Sequence, residues 1–174
     1  MPTGFSLLEL MVVLVILIVA LGWGLPSVQA LTTTLRLQAA AHDTYALLQQ
    51  ARWQAMQDHV PRFVVWQGSG EHWCVAISLQ AECDCRQQEC AITDGDFRLH
   101  SHAYPGVMLQ GNTFAQGSMT RFDGQRGLTH AYAGGVSYAA SLGAQDSRGL
   151  RVIVSTLGRV RICQQGVVGS YAAC

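Results

Sequence analysis

The chain of 174 residues contains no lysine, so all eleven of its basic residues are arginines. Every fixed positive charge is therefore a planar guanidinium, a group suited to bidentate contact with phosphate or carboxylate. No basic residue precedes the first apolar run, and no small-residue cleavage site follows it at Gly22-Trp23-Gly24-Leu25-Pro26. Both are needed in a removed secretory signal peptide, so the run reads instead as a retained membrane helix. Nucleophile–base constellations, phosphate loops and carboxylate pairs with supporting context are also lacking, which argues against an enzyme. There is no internal repeat, heptad array or low-complexity tail.

What is present begins with Phe5–Leu25, apolar apart from Ser6 and Glu9. As a helix this run covers roughly 30 Å, the thickness of a bilayer's hydrocarbon core. Ser27–His59 contains neither glycine nor proline, and Tyr45, Leu48, Arg52 and Ala55 recur at helical spacing. Residues 5–59 are expected to form one long helix, with Pro26 absorbed as a kink. Pro61 marks its break. Short β-type runs then follow ("RFVVWQ", "HWCVAISL", "FRLHS", "VML", "MTRF", "VSYAAS", "LRVIVS", "RVRIC"), many separated by glycine-containing turns. The expected fold class is α+β, a helix packed on antiparallel sheet.

Net charge is zero but unevenly spread. Residues 71–96 hold six carboxylates against Arg86, whereas six arginines after position 120 face only Asp123 and Asp146. In "RGLRVIVSTLGRVRIC" two β-branched runs flank Thr156-Leu157-Gly158, which predicts a hairpin with glycine supplying an unusual turn angle. Arg159 and Arg161 then share one strand face, about 6–7 Å apart, a spacing that engages successive phosphates. The alternative is a solvated face whose arginines form local ion pairs. Arg148 and Arg151 are candidates to extend the patch, with the hairpin register open; in one register Arg151 lies on the arginine face. In the other, Arg151 falls on the core face.

The first 73 residues are also free of cysteine; all six follow (Cys74, Cys83, Cys85, Cys90, Cys163, Cys174). Their spacing matches no usual zinc pattern, and an even count beyond a membrane segment favours disulfides in an oxidising compartment. Of the fifteen possible pairings, Cys163 with Cys174 is preferred because it ties the tail to the arginine strand. Bridges among the other four would staple the acidic segment. His100 and His102 share a strand face on this reading, as surface residues without a third ligand.

"GFSLLELMVVLVILIVALGWGLP" resembles the leader and first helix of type IV pilins and pseudopilins, with Gly4 as the cleavage glycine, Phe5 as the new N-terminus and Glu9 five residues into the mature chain. "RGLRVIVSTLGRVRIC" and "FDGQRG" resemble the FimT/GspH minor-pilin family, and Gly158-Arg159-Val160-Arg161 matches the G-R-x-R motif of its FimT-type members. The resemblance implies a leader over 1–4, an assembly and transmembrane helix over 5–25, its amphipathic second half over 26–60, and an exported β domain over 61–174. A prepilin peptidase is implied to cut after Gly4 and methylate Phe5. Glu9, costly inside hydrocarbon at about 2.5–3.5 kcal/mol, is implied to pair with the first amine of a neighbouring pilin subunit. The family leader normally carries a basic residue; this one has none.

Location is implied in the inner membrane of a Gram-negative-type cell, with the C-terminal domain in the periplasm, and then in the pilus fibre or at its tip. The motif implies weak, sequence-independent binding of double-stranded DNA in natural transformation, without a cofactor. The competing expectation is a structural minor pilin or type II secretion pseudopilin that primes or caps the filament.

Overall fold

The protein is described from a computed structural model covering residues 6–86, 97–141, 148–166 and 168–174, without the side chains of 21–27. The expected leader, with Gly4 and Phe5, and Cys90 lie outside these residues. The chain divides into two compact units, Met1–Thr32 and Thr33–Cys174.

A single helix, α1, runs over Leu7–Asp58. In the first unit its side chains from Leu7 to Val19 are exposed. Glu9 lies in the first turn, and its carboxylate makes no ion pair or hydrogen bond among the described residues. No helix is long and apolar enough to cross a membrane among the described residues. The expected span of 5–25 extends past those residues at its start and past the described side chains at its end.

In the second unit α1 becomes one-sided. Leu37, Ala40, Ala41, Leu48, Ala51 and Ala55 are fully buried and recur at three- and four-residue intervals, forming one helical face. Four alanines on that face allow the helix axis to lie close to the strands. The helix ends at His59, which adopts a left-handed φ of 55°, and Pro61 prevents its resumption.

Among the described residues eight strands follow, each at a β-type run named above. β1 (Arg62–Ser69), β2 (His72–Ser78), β3 (Arg98–His100) and β5 (Met119–Phe122) form one antiparallel sheet in the order β3-β2-β1-β5. β4 (Val107–Asn112), β6 (Gly134–Ala140), β7 (Gly149–Val154) and β8 (Val160–Gln165) form the other, in the order β4-β6-β7-β8. Reciprocal backbone hydrogen bonds between Gly70 and Leu109, at 2.8 and 3.0 Å, join the sheets. The architecture is α+β.

The core between helix and sheets is aromatic at its centre. Trp66 stacks on Phe114 at 4.8 Å, and Trp73 contacts both Tyr104 and Tyr138. The buried Tyr138 hydroxyl is satisfied by Thr44 at 3.0 Å and by the Trp66 indole N–H at 3.2 Å. Burial pushes its pKa up to about 12, so it remains a neutral phenol. Tyr104 is raised further, by burial and by donating to the Asp43 carboxylate at 2.6 Å.

Two disulfides are described, each closing a separation of 11 residues: Cys74–Cys85 and Cys163–Cys174. Cys83 is also disulfide-bonded. The Gln67 amide donates to the Cys83 carbonyl at 2.6 Å and its oxygen accepts the Cys85 N–H at 3.1 Å, so one side chain seats the stapled segment. His100 and His102 do not share a strand face. His102 lies in a 3-10 turn, Ser101–Ala103, and the two rings meet at 5.3 Å because that turn folds the chain back.

Candidate nucleic-acid interface

The β7–β8 hairpin fixes the register left open by sequence. Ile153 pairs with Arg161, Arg151 with Cys163, and Val154 with Val160. Opposed residues in an antiparallel pair point to the same face. Val152, Val154 and Val160 are buried on the core side, and Arg151, Ile153, Arg161 and Cys163 take the other. Arg159 and Arg161 are both exposed and flank the buried Val160.

Arg151 is thus on the arginine face, but its guanidinium is already engaged. It bonds the Thr113 hydroxyl, and its Nε is buried beside Gly135. Arg148 precedes β7 at the end remote from the hairpin turn, on the opposite strand parity, and has interactions of its own. Neither is brought to Arg159 and Arg161 as a free cation.

Gly158 contributes backbone rather than a contact. Its φ is +74°, and an added Cβ would lie 2.0 Å from the Gly127 carbonyl oxygen. This close approach docks the hairpin turn on the loop between β5 and β6. The Thr129 hydroxyl donates to the Ser155 carbonyl at 2.6 Å, and the Thr129 and His130 N–H groups both reach the Thr156 carbonyl. Within the turn, Gly158 N–H donates to the Ser155 carbonyl at 2.8 Å and Arg159 N–H to the Ser155 hydroxyl at 3.1 Å.

The partner loop is organised by Asp123. Its carboxylate accepts the N–H groups of Gln125, Arg126, Gly127 and Leu128 at 2.6–3.2 Å and stands 3.3 Å from the His130 ring nitrogen. Burial alone pushes the Asp123 carboxyl up, but the four backbone donors outweigh it and hold the group below its ordinary value. Gly124 packs on the helix terminus, where the His59 ring N–H donates to its carbonyl at 3.3 Å. Helix end, loop and hairpin turn are thereby joined.

Most arginines in the protein are occupied. Arg36 bonds the Pro105 carbonyl, Arg62 pairs with Asp58, and Arg86 bonds the His72 carbonyl. Arg121 lies 5.8 and 5.9 Å from the Phe63 and Tyr132 rings. Arg98, like Arg148, has a partner.

Arg52, Arg126, Arg159 and Arg161 remain, and among the described residues their guanidiniums have no ion pair or hydrogen bond. Arg52 packs against the Gly127–Gly158 contact with its Nε buried, and the exposed Arg126, Arg159 and Arg161 lie near that contact in sequence. Arg126 and Arg159 adjoin its two glycines in sequence, Arg161 is two residues further along β8, and the Arg52 Nε is 3.3 Å from the position of a Gly158 Cβ. Sequence reasoning placed Arg52 in the helical spacing and Arg126 in a basic region, but assigned neither to the motif. The ion-pair alternative for Arg159 and Arg161 finds no partner among the described residues.

The C-terminal tail restrains the other end of β8. Gln164 bonds Ala172 and Cys174 through the backbone, and Cys174 is disulfide-linked to Cys163. The Tyr171 hydroxyl also meets the His42 ring at 2.7 Å.

A long N-terminal helix whose second part packs on two antiparallel sheets, with a stapled C-terminal segment, makes a type IV pilin-like fold. Crystal structures of the type IV minor pilin FimU of Pseudomonas aeruginosa strain PAO1 share this fold. In one crystal form the TM-score is 0.55 at 16% identity, covering 78% of this chain and 93% of FimU. In a second form it is 0.53 at 17% identity, covering 78% and 98%. No curated protein matches at a significant level. The family model for type II transport protein GspH matches residues 40–158, more than half of the chain. The protein belongs to the GspH family. That match ends at Gly158, one residue before Arg159.

Proposed function

We propose that this minor pilin binds double-stranded DNA without sequence preference, during DNA uptake in natural transformation. The observation that carries the reading is that Arg159 and Arg161 share one exposed strand face beside a docked turn, with no ion pair or hydrogen bond among the described residues. With arginine engaged at seven other positions and the Arg52 Nε buried, the exposed Arg126, Arg159 and Arg161 are the ones available for phosphate. No catalytic role or cofactor is invoked. Release of counterions from neutralised phosphates drives the binding, and so few contacts make it weak and strongly salt-dependent in a single subunit. Other subunits at a filament tip would supply avidity.

In the same reading, the precursor sits in the inner membrane with its β domain in the periplasm. A prepilin peptidase cleaves after Gly4 and methylates Phe5, and Glu9 pairs with a neighbouring subunit's first amine. That the carboxylate has no partner among the described residues supports this assembly role.

The test is a fluorescence-polarisation titration of duplex DNA across a salt series, with wild type and the Arg159→Gln/Arg161→Gln double variant. Loss of two phosphate contacts lowers the slope of log affinity against log salt by about 1.8. Equal affinity and slope for both proteins refute the assignment.

A second reading is favoured by the extent of the family match, which covers the fold but stops before both motif arginines. In it, the protein is a structural minor pilin or type II secretion pseudopilin that primes or caps the filament. Deletion that abolishes transformation while pili and secretion persist supports DNA binding; loss of pili or secretion supports the structural role.

A further inference from the structure

We propose that Leu157 is an apolar wedge of this interface, lying in the DNA minor groove against sugar and base edges while the surrounding guanidiniums hold phosphates. The inference rests on the DNA-binding reading and adds an uncharged contact to it.

Leu157 is 70% exposed, more than any other large hydrophobic described in Thr33–Cys174. Solitary surface leucines are ordinary and by themselves signify little. This one occupies the tip of a turn that is held in place. The residues on both sides are tied down, Thr156 through its carbonyl to Thr129 and His130, and Gly158 through its N–H and its contact with Gly127. The side chain is presented to water by a fixed backbone, so its position is set before a ligand arrives.

Its surroundings specify the ligand chemistry. Arg159 is two residues away, and Arg126 and Arg52 adjoin the same Gly127–Gly158 contact. The sole carboxylate of the two loops, Asp123, is taken up by four backbone donors and His130. The surface is therefore one apolar protrusion with the exposed Arg126 and Arg159 close by in sequence, neither ion-paired among the described residues. Its complement is a ligand with anionic groups on either side of a narrow apolar cleft. The minor groove of B-DNA, about 6 Å wide, admits one side chain between phosphate-bearing walls, and leucine is among the residues that enter it. An anionic lipid surface offers similar charges, but even a myristoyl chain binds bilayers only marginally, and one leucine side chain supplies far less apolar surface.

The experiment uses the full chain, kept in solution by detergent, with wild type, Leu157→Ser and Leu157→Gln titrated onto a 25-base-pair duplex over a salt series. Charged and apolar contacts separate cleanly here, because only the former release counterions. Burying most of one leucine predicts that both variants bind about tenfold more weakly by the same factor at every salt concentration. The salt slope stays as in wild type, and the Arg159→Gln/Arg161→Gln protein shows the opposite pattern. A minor-groove ligand such as netropsin displaces the wild type.

Variants that bind as tightly as wild type overturn the wedge and leave the DNA reading standing. Wild type that fails to bind DNA removes both. Binding to phosphatidylglycerol vesicles that Leu157→Ser abolishes, with DNA affinity unchanged, reassigns the tip to membranes and overturns the proposal.

Discussion

Replacing Gly158 by alanine tests the idea that two loops are locked together at a single point. The perturbation acts twice. Alanine at a φ of +74° incurs about 1–2 kcal/mol of backbone strain, and its Cβ at 2.0 Å from the Gly127 carbonyl oxygen cannot be accommodated by a rotamer change, because the obstacle is backbone. The loops must separate, which removes the bonds of Thr129 and His130 to Ser155 and Thr156, at about 1 kcal/mol each. Loss of about 4 kcal/mol is expected, which lowers the melting temperature by roughly 10–15 °C in a protein of this size. Urea unfolding followed by tryptophan fluorescence gives the free energy, with Leu157→Ala, predicted within about 0.5 kcal/mol of wild type, as the local control. A Gly158→Ala protein that unfolds at the same urea concentration as wild type refutes the reasoning, since the turn would then hold without the contact.

The Asp123 loop should respond to acid. Because the folded carboxyl titrates below the ordinary value of 3.8, the stability it contributes is complete above about pH 5 and is lost as pH falls through the depressed folded value. Asp123→Asn should therefore destabilise by about 2 kcal/mol at pH 7 and flatten the acid limb of a stability–pH curve; an unchanged limb would contradict the role given to the four backbone donors. Cys163→Ser/Cys174→Ser and Cys74→Ser/Cys85→Ser each open a loop of the same sequence separation, so chain entropy predicts a similar loss of about 3 kcal/mol from each in denaturant unfolding. A large difference between the two pairs would show that native contacts, rather than loop closure, dominate.

The eight strands and the long helix were legible because their signals are local. Period-two β-branched runs, glycine punctuation and the Pro61 break each act within a few residues. The common face of Arg159 and Arg161 was readable for the same reason, since it depends only on alternation within one strand. The placement of Arg151 was not, because it depends on pairing across a turn whose geometry is set by the docking of Gly158 on Gly127, thirty-one residues earlier in the chain. Arg52 was obscured differently. It keeps the spacing of the inward helix face alongside Leu48 and Ala55, and only the fold carries its guanidinium to the hairpin. His102 departed from strand alternation because a 3-10 turn begins at Ser101, a change of backbone that short polar sequence does not announce.

The Gly127–Gly158 contact also separates what must stay constant from what is free to vary. The two glycines and Asp123 set the shape of the turn, whereas Arg126, Leu157, Arg159 and Arg161 project from it without supporting anything beneath. Relatives with the same fold can therefore exchange these four side chains at little structural cost and acquire a different ligand preference, or none. A family could in this way divide between members that grip a polymer and members that only build a filament, with one backbone serving both trades.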